Sequence, residues 1–75
     1  MSMFPSREEI EALRTSYPVG TRIQLLEMSD PYNPVPSGTL GTVTYVDDAG
    51  TIHMKWDNGR TLGLVPSKDC FKKIS

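Results

Sequence analysis

One cysteine, Cys70, and one histidine, His53, are all that 75 residues offer. A single cysteine excludes an intramolecular disulfide, and the pair leaves no recognisable zinc site. The chain also lacks any apolar run near the roughly 20 residues that a membrane-spanning helix needs. Its start, Met1-Ser2-Met3-Phe4-Pro5, has no signal-peptide core. A soluble, cytoplasmic protein is the expectation. Eight basic and nine acidic side chains leave a net charge of −1, so the whole chain gives a polyanion no electrostatic reason to approach. Dividing it changes little: residues 1–20 set Arg7 and Arg14 against Glu8, Glu9 and Glu11, and residues 21–75 carry equal numbers of each sign. No glycine-rich phosphate loop and no nucleophile motif occurs, so the expectation is a protein that is not an enzyme and uses no cofactor.

A chain of this length makes one domain, and such a domain buries only about 60% of the surface its unfolded chain exposes. With no disulfide or metal to reinforce it, association with further copies is a natural supplement.

Ser6-Arg7-Glu8-Glu9 has the form of a capping box, in which the Ser6 hydroxyl accepts from the Glu9 amide and the Glu9 carboxylate reaches back. A short amphipathic helix over residues 7–16 follows, with Ile10 and Leu13 on its apolar stripe and Pro18 beyond its end. It either lies against its own domain or contacts a second copy. From Val19 the period becomes alternating. The first strand, residues 21–28, shows a phase slip between Leu25 and Leu26 that indicates a bulge. Pro31, Pro34 and Pro36 then place residues 29–38 in a long loop, because proline brings no amide donor to a ladder. A second strand, residues 39–46, puts Val43 and Tyr45 on one face, and Gly50 closes the Asp47-Asp48-Ala49-Gly50 turn with positive φ. The third strand has Ile52, Met54 and Trp56 on one face, with His53 and Lys55 on the other. Asn58-Gly59 suits a type I′ turn, in which both residues take positive φ. A fourth strand over residues 61–65, a tight turn at residues 66–69 and a closing strand at residues 71–74 complete the pattern. The expected fold class is mainly β: a small five-stranded SH3-like barrel, residues 19–75, preceded by a short N-terminal α-helix and lead-in, residues 1–18.

Several linked motifs in order carry a family resemblance. They are Tyr17-Pro18-Val19-Gly20-Thr21-Arg22, Asp30-Pro31, Gly38-Thr39-Leu40-Gly41-Thr42-Val43, Val46-Asp47-Asp48 and Trp56-Asp57-Asn58-Gly59. The chain resembles the domain of unknown function 4314 family, small proteins of bacteria, plasmids and phages. That resemblance implies a compact SH3-like β domain associated with mobile elements, and it implies no established activity. Arg60 stands where such sequences usually have a small polar residue.

The candidate binding residues are Tyr32, Asp30, Asp47, Asp48, Trp56 and Arg60. Tyr32 sits in a proline-stiffened loop that presents an aromatic ring at low entropic cost. Asp47 and Asp48 are in the first instance turn formers, although with Asp30 or Asp57 they have the oxygens a hard cation wants. Trp56 shares the phase of Ile52 and Met54, which places it in the core and leaves an indole edge as the stacking surface. Cys70, beside Phe71, reads as a small packed hydrophobe. Tyr17, Tyr32 and Tyr45 do not reproduce the spacing of a proline-motif receptor. The leading expectation is a non-catalytic binding module of a phage or mobile element that engages a protein partner through Tyr32 and the Asp47-to-Gly50 turn. Two alternatives stay open. One is a nucleic-acid-binding barrel using Lys55, Arg60, Lys68, Lys72 and Lys73; the other is an oligomer that sequesters a small anionic ligand such as a nucleotide with Arg22 or Arg60.

Overall fold

The computed structural model describes residues 5–74, so the first four residues of the expected lead-in lie outside the described residues. Helix α1 spans Arg7–Ser16. The strands are β1 (Arg22–Glu27), β2 (Leu40–Val46), β3 (Ile52–Trp56) and β4 (Cys70–Lys73), all antiparallel in an open sheet of order β3-β2-β1-β4.

The capping box forms: Glu9 N donates to Ser6 Oγ at 3.2 Å, and Ser6 N donates to Glu9 Oε1. The helix packs on its own chain. Ile10 is buried, and the Arg14 guanidinium donates to Val46 O at 3.1 Å and to Asp48 Oδ1 at 2.8 Å. Lys73 Nζ donates to Ser16 O, a cation placed on the carbonyl end of the helix dipole.

A local device seeds the central ladder twice. In Pro18-Val19-Gly20-Thr21 the Thr21 amide and hydroxyl both donate to Pro18 O. In Pro36-Ser37-Gly38-Thr39 the Thr39 amide and hydroxyl do the same to Pro36 O. Gly20 and Gly38 have φ of 94° and 90° at the third turn position, where a type II turn needs glycine. Each turn then meets the other strand: Gly20 N donates to Val43 O and Val43 N to Thr21 O, while Gly38 N donates to Leu25 O and Leu25 N to Thr39 O. Two like tetrapeptides thus start the two strands in a mutual register, with Ile23 opposite Gly41 between them.

The core comprises Ile23, Leu25, Val35, Val43, Val46, Ile52, Met54, Trp56 and Leu64. The bulge in β1 lies between Leu25 and Glu27, where the sequence changes phase.

Four expectations need correction. The fold has four strands and not five, since residues 61–65 contribute only an isolated bridge between Leu64 and Ile52. The Trp56 indole competes for this segment: Trp56 Nε1 donates to the Leu62 carbonyl at 2.7 Å, so that oxygen bonds a side chain in place of a ladder partner. Second, the hairpin after β3 is not type I′. Asn58 keeps a negative φ, Gly59 has φ 89°, Gly59 N donates to Trp56 O and Trp56 N donates to Arg60 O. This is a three-residue loop closed by a glycine bulge. Third, Tyr45 does not share the buried face of Val43, because a bulge between them turns its ring outward. Fourth, Cys70 is exposed, opposite Glu27 in the bulged pair.

Candidate functional site

β2 runs between two clusters of the sequence-predicted residues. Seven strand residues at about 3.4 Å each hold them roughly 20 Å apart. The 29–38 loop and the Asn58-Gly59 hairpin meet at its start, whereas the Asp47-Asp48 turn lies at its end. Tyr32 and Asp47 therefore do not share a surface.

At the first end, Asp30 Oδ1 accepts from the amides of Tyr32 at 2.9 Å and Asn33 at 3.4 Å, which curls the loop into an Asx turn. Arg60 Nη2 donates to Asn33 O at 2.6 Å and ties the loop to the hairpin. Val35 buries its side chain in the core. At the loop's origin Ser29 is bonded to Asp69, a carboxylate only 8% exposed that accepts from Ser29 N, Ser29 Oγ and Val65 N. A carboxylate this enclosed is tolerable because donors satisfy it. The loop is fixed at its base, its tip and its far side, yet Tyr32 at the tip is 93% exposed. The rigid frame spends its hydrogen bonds on the backbone and leaves the aromatic ring free.

At the other end, Asp47 Oδ1 accepts from Ala49 N at 3.0 Å and Thr51 N at 2.9 Å, so this aspartate forms its turn as the sequence indicates. Its Oδ2 lies 2.8 Å from His53 Nε2. The hydrogen bond to His53, supported by the Thr51 and Ala49 amides, holds the Asp47 carboxyl below its ordinary range. Tyr45 stacks flat on His53, with ring centroids 4.1 Å apart. Asp48 pairs with Arg14. A groove of about 550 Å³ runs between α1 and the turns at Ala49-Gly50 and Pro66-Ser67, with Pro5, Ala12 and Leu13 on its wall.

Trp56, the remaining candidate, is 1% exposed and belongs to the core; its indole N–H is taken by Leu62 O. Asp30, Asp47, Asp48 and Asp57 do not converge. No group of three or more metal-ligating side chains occurs among the described residues. Asp57 instead forms a two-pronged pair with Arg22, at 2.9 Å and 2.7 Å, which lowers the Asp57 pKa and raises that of Arg22. The lysine cluster also divides. Lys73 reaches Ser16 O and lies over the Tyr17 ring, while Lys72, next to it on β4, points to the opposite face beside Gln24.

Sequence reasoning missed Asp69, which is 40 positions from Ser29, and the Tyr45–His53 stack, which depends on a bulge. The repeated Pro-x-Gly-Thr tetrapeptide was a visible signal for the strand starts.

A family model described as a domain of unknown function (DUF4314) matches residues 6–74, nearly the whole chain. No curated protein and no solved structure matches it.

Proposed function

Because the chain belongs to the family described as a domain of unknown function (DUF4314), a description that assigns no activity, we propose on its site alone that it is a non-catalytic module that binds a protein partner through Tyr32. The observation that carries this reading is a ring 93% exposed on a loop held at three points. A partner docking there gains aromatic contact area without having to order the loop, and tyrosine is a favoured anchor at interfaces. Exposed Pro31 and Pro34 flank the ring. Arg60, bonded to the carbonyl of Asn33, the residue after Tyr32, keeps further N–H donors for a partner acceptor.

The scaffold in this proposal is an SH3-like barrel whose fourth strand, residues 61–65, is reduced to the Leu64 bridge. With Leu64 counted beside β3, the order Leu64-β3-β2-β1-β4 supports that assignment. A phage or other mobile element as the carrier, and a cytoplasmic setting, belong to the same proposal. No helix among the described residues is long and apolar enough to cross a membrane. The alternatives draw less support: Arg22 already spends its charge on Asp57, and Lys72 and Lys73 point to different faces.

Affinity capture with tagged protein tests the reading. Tyr32→Ala is expected to lose the captured partner while keeping its melting temperature, and Tyr45→Ala at the far end is expected to retain it. Equal capture by all three proteins would sink the proposal.

A further inference from the structure

The Asn58-Gly59 tip has a chemistry of its own, independent of any partner. Both residues are exposed, and Gly59 at φ 89° has nothing within 4 Å of where a side chain would begin. A glycine successor leaves its amide nitrogen sterically open to the preceding side chain. We propose that Asn58 is a modification site, at which the side-chain amide is lost and the hairpin tip becomes aspartate or isoaspartate. Gly59 N attacks Asn58 Cγ, the Cγ–NH2 bond breaks, and ammonia departs with the proton from the Gly59 amide. Water then opens the five-membered imide. Cleavage at the Cγ carbonyl restores the main chain with Asp at position 58; cleavage at the other carbonyl routes the main chain through Cγ and inserts one methylene.

The folded hairpin gates the reaction. Gly59 N–H is donated to Trp56 O at 2.9 Å, and Asn58 Oδ1 accepts from Arg60 N at 3.0 Å, so both reacting groups are engaged until the turn opens. The consequence reaches the Tyr32 loop. An extra methylene lengthens the loop that sets the Trp56–Arg60 pairing, and Arg60 is the residue that holds Asn33 O. Asn33 itself is an internal control, because Pro34 after it has no N–H and cannot close the imide in this way.

The experiment is prolonged incubation of the full chain in neutral buffer at physiological temperature, followed by intact-mass and peptide-level mass spectrometry. A gain of about one mass unit should localise to Asn58, react with an isoaspartyl methyltransferase, and accumulate faster in urea than in the folded state. Asn58→Ser should stay unmodified. Amide exchange on the separated isoaspartyl form should show faster exchange at Tyr32 and Asn33 than in Asn58→Asp, which adds the charge without the methylene. No mass gain, or a gain at Asn33, would overturn the site; equal rates in urea and in the folded state would overturn the gate; unchanged exchange at Tyr32 would overturn the link to the loop.

Discussion

Asp69 holds Ser29 across 40 positions of sequence: its Oδ1 accepts from the Ser29 amide at 2.9 Å and hydroxyl at 3.1 Å, while Oδ2 accepts from the Val65 amide at 2.8 Å. One side chain thereby closes the base of the Tyr32 loop and fixes the turn that leads into β4. Asp69→Ala removes the acceptor and leaves two amides without a partner. The expected loss is about 3 kcal/mol, read as a lower urea midpoint at unchanged slope. A loss under about 1 kcal/mol would mean that water takes over the carboxylate's role.

The contrast between Asp69 and Asp47 shows how far the sequence could be read. Asp47 bonds Ala49 and Thr51 within its own turn, and local hydrogen bonds of that kind follow from residue type and spacing. Asp69 bonds a residue that only the folded chain brings near, so nothing in its neighbourhood announces it. Ile52, Met54 and Trp56 alternate as a period of two demands, and all three are buried. Tyr45 escapes the same rule because one bulge in β2 reverses its phase. At residues 61–65 the strand pattern was present, but the Trp56 indole claimed the Leu62 carbonyl, a tertiary competition invisible to periodicity. For the candidate site, the proline loop that carries Tyr32 was legible, and so was the strand over residues 39–46 that separates it from the Asp47 turn; the ties that Arg60 and Asp69 make to the loop were not, because they join residues distant in sequence.

Gly41 lies under the Trp56 ring. A Cβ at this position would come 2.6 Å from Trp56 Cε3 and 3.0 Å from Met54 Cε, closer than packed atoms tolerate. Gly41→Ala should cost about 1–3 kcal/mol through displaced core side chains. The single tryptophan reports it directly: its emission should shift to the red as the indole is pushed toward water. An unshifted spectrum with wild-type stability would mean that the strand moves as a body to admit the methyl.

Asp47 and Asp57 give stability a definite acid limb. Both folded-state pKa values are depressed, Asp47 by His53 and its turn amides, Asp57 by Arg22. A carboxylate with a lowered folded pKa binds protons more readily when unfolded, so its contribution is present above the unfolded value near 4 and is lost as pH falls through the folded value. The urea midpoint should therefore be level above about pH 5 and decline below about pH 4. Asp47→Asn should make that decline shallower, and a decline of unchanged steepness in this variant would assign the acid sensitivity elsewhere.

Arg60 tests whether the Tyr32 loop is rigid because it is tied. The main-chain pairing of Arg60 with Trp56 does not involve the guanidinium, so Arg60→Ala should keep the hairpin and change global stability by no more than about 0.5 kcal/mol. What it removes is the donor to Asn33 O. The neighbouring tie is the Asp30 carboxylate, which accepts from the Tyr32 and Asn33 amides. Asp30→Ala frees those amides outright, and their exchange should quicken; Arg60→Ala should quicken it less, by letting the tip lift away. If the two ties brace the same segment, the double variant departs from the sum of the single ones by more than the roughly 0.3–0.5 kcal/mol scatter of independent sites. Additive effects would show that the two ties act independently, each holding its own part of the tip.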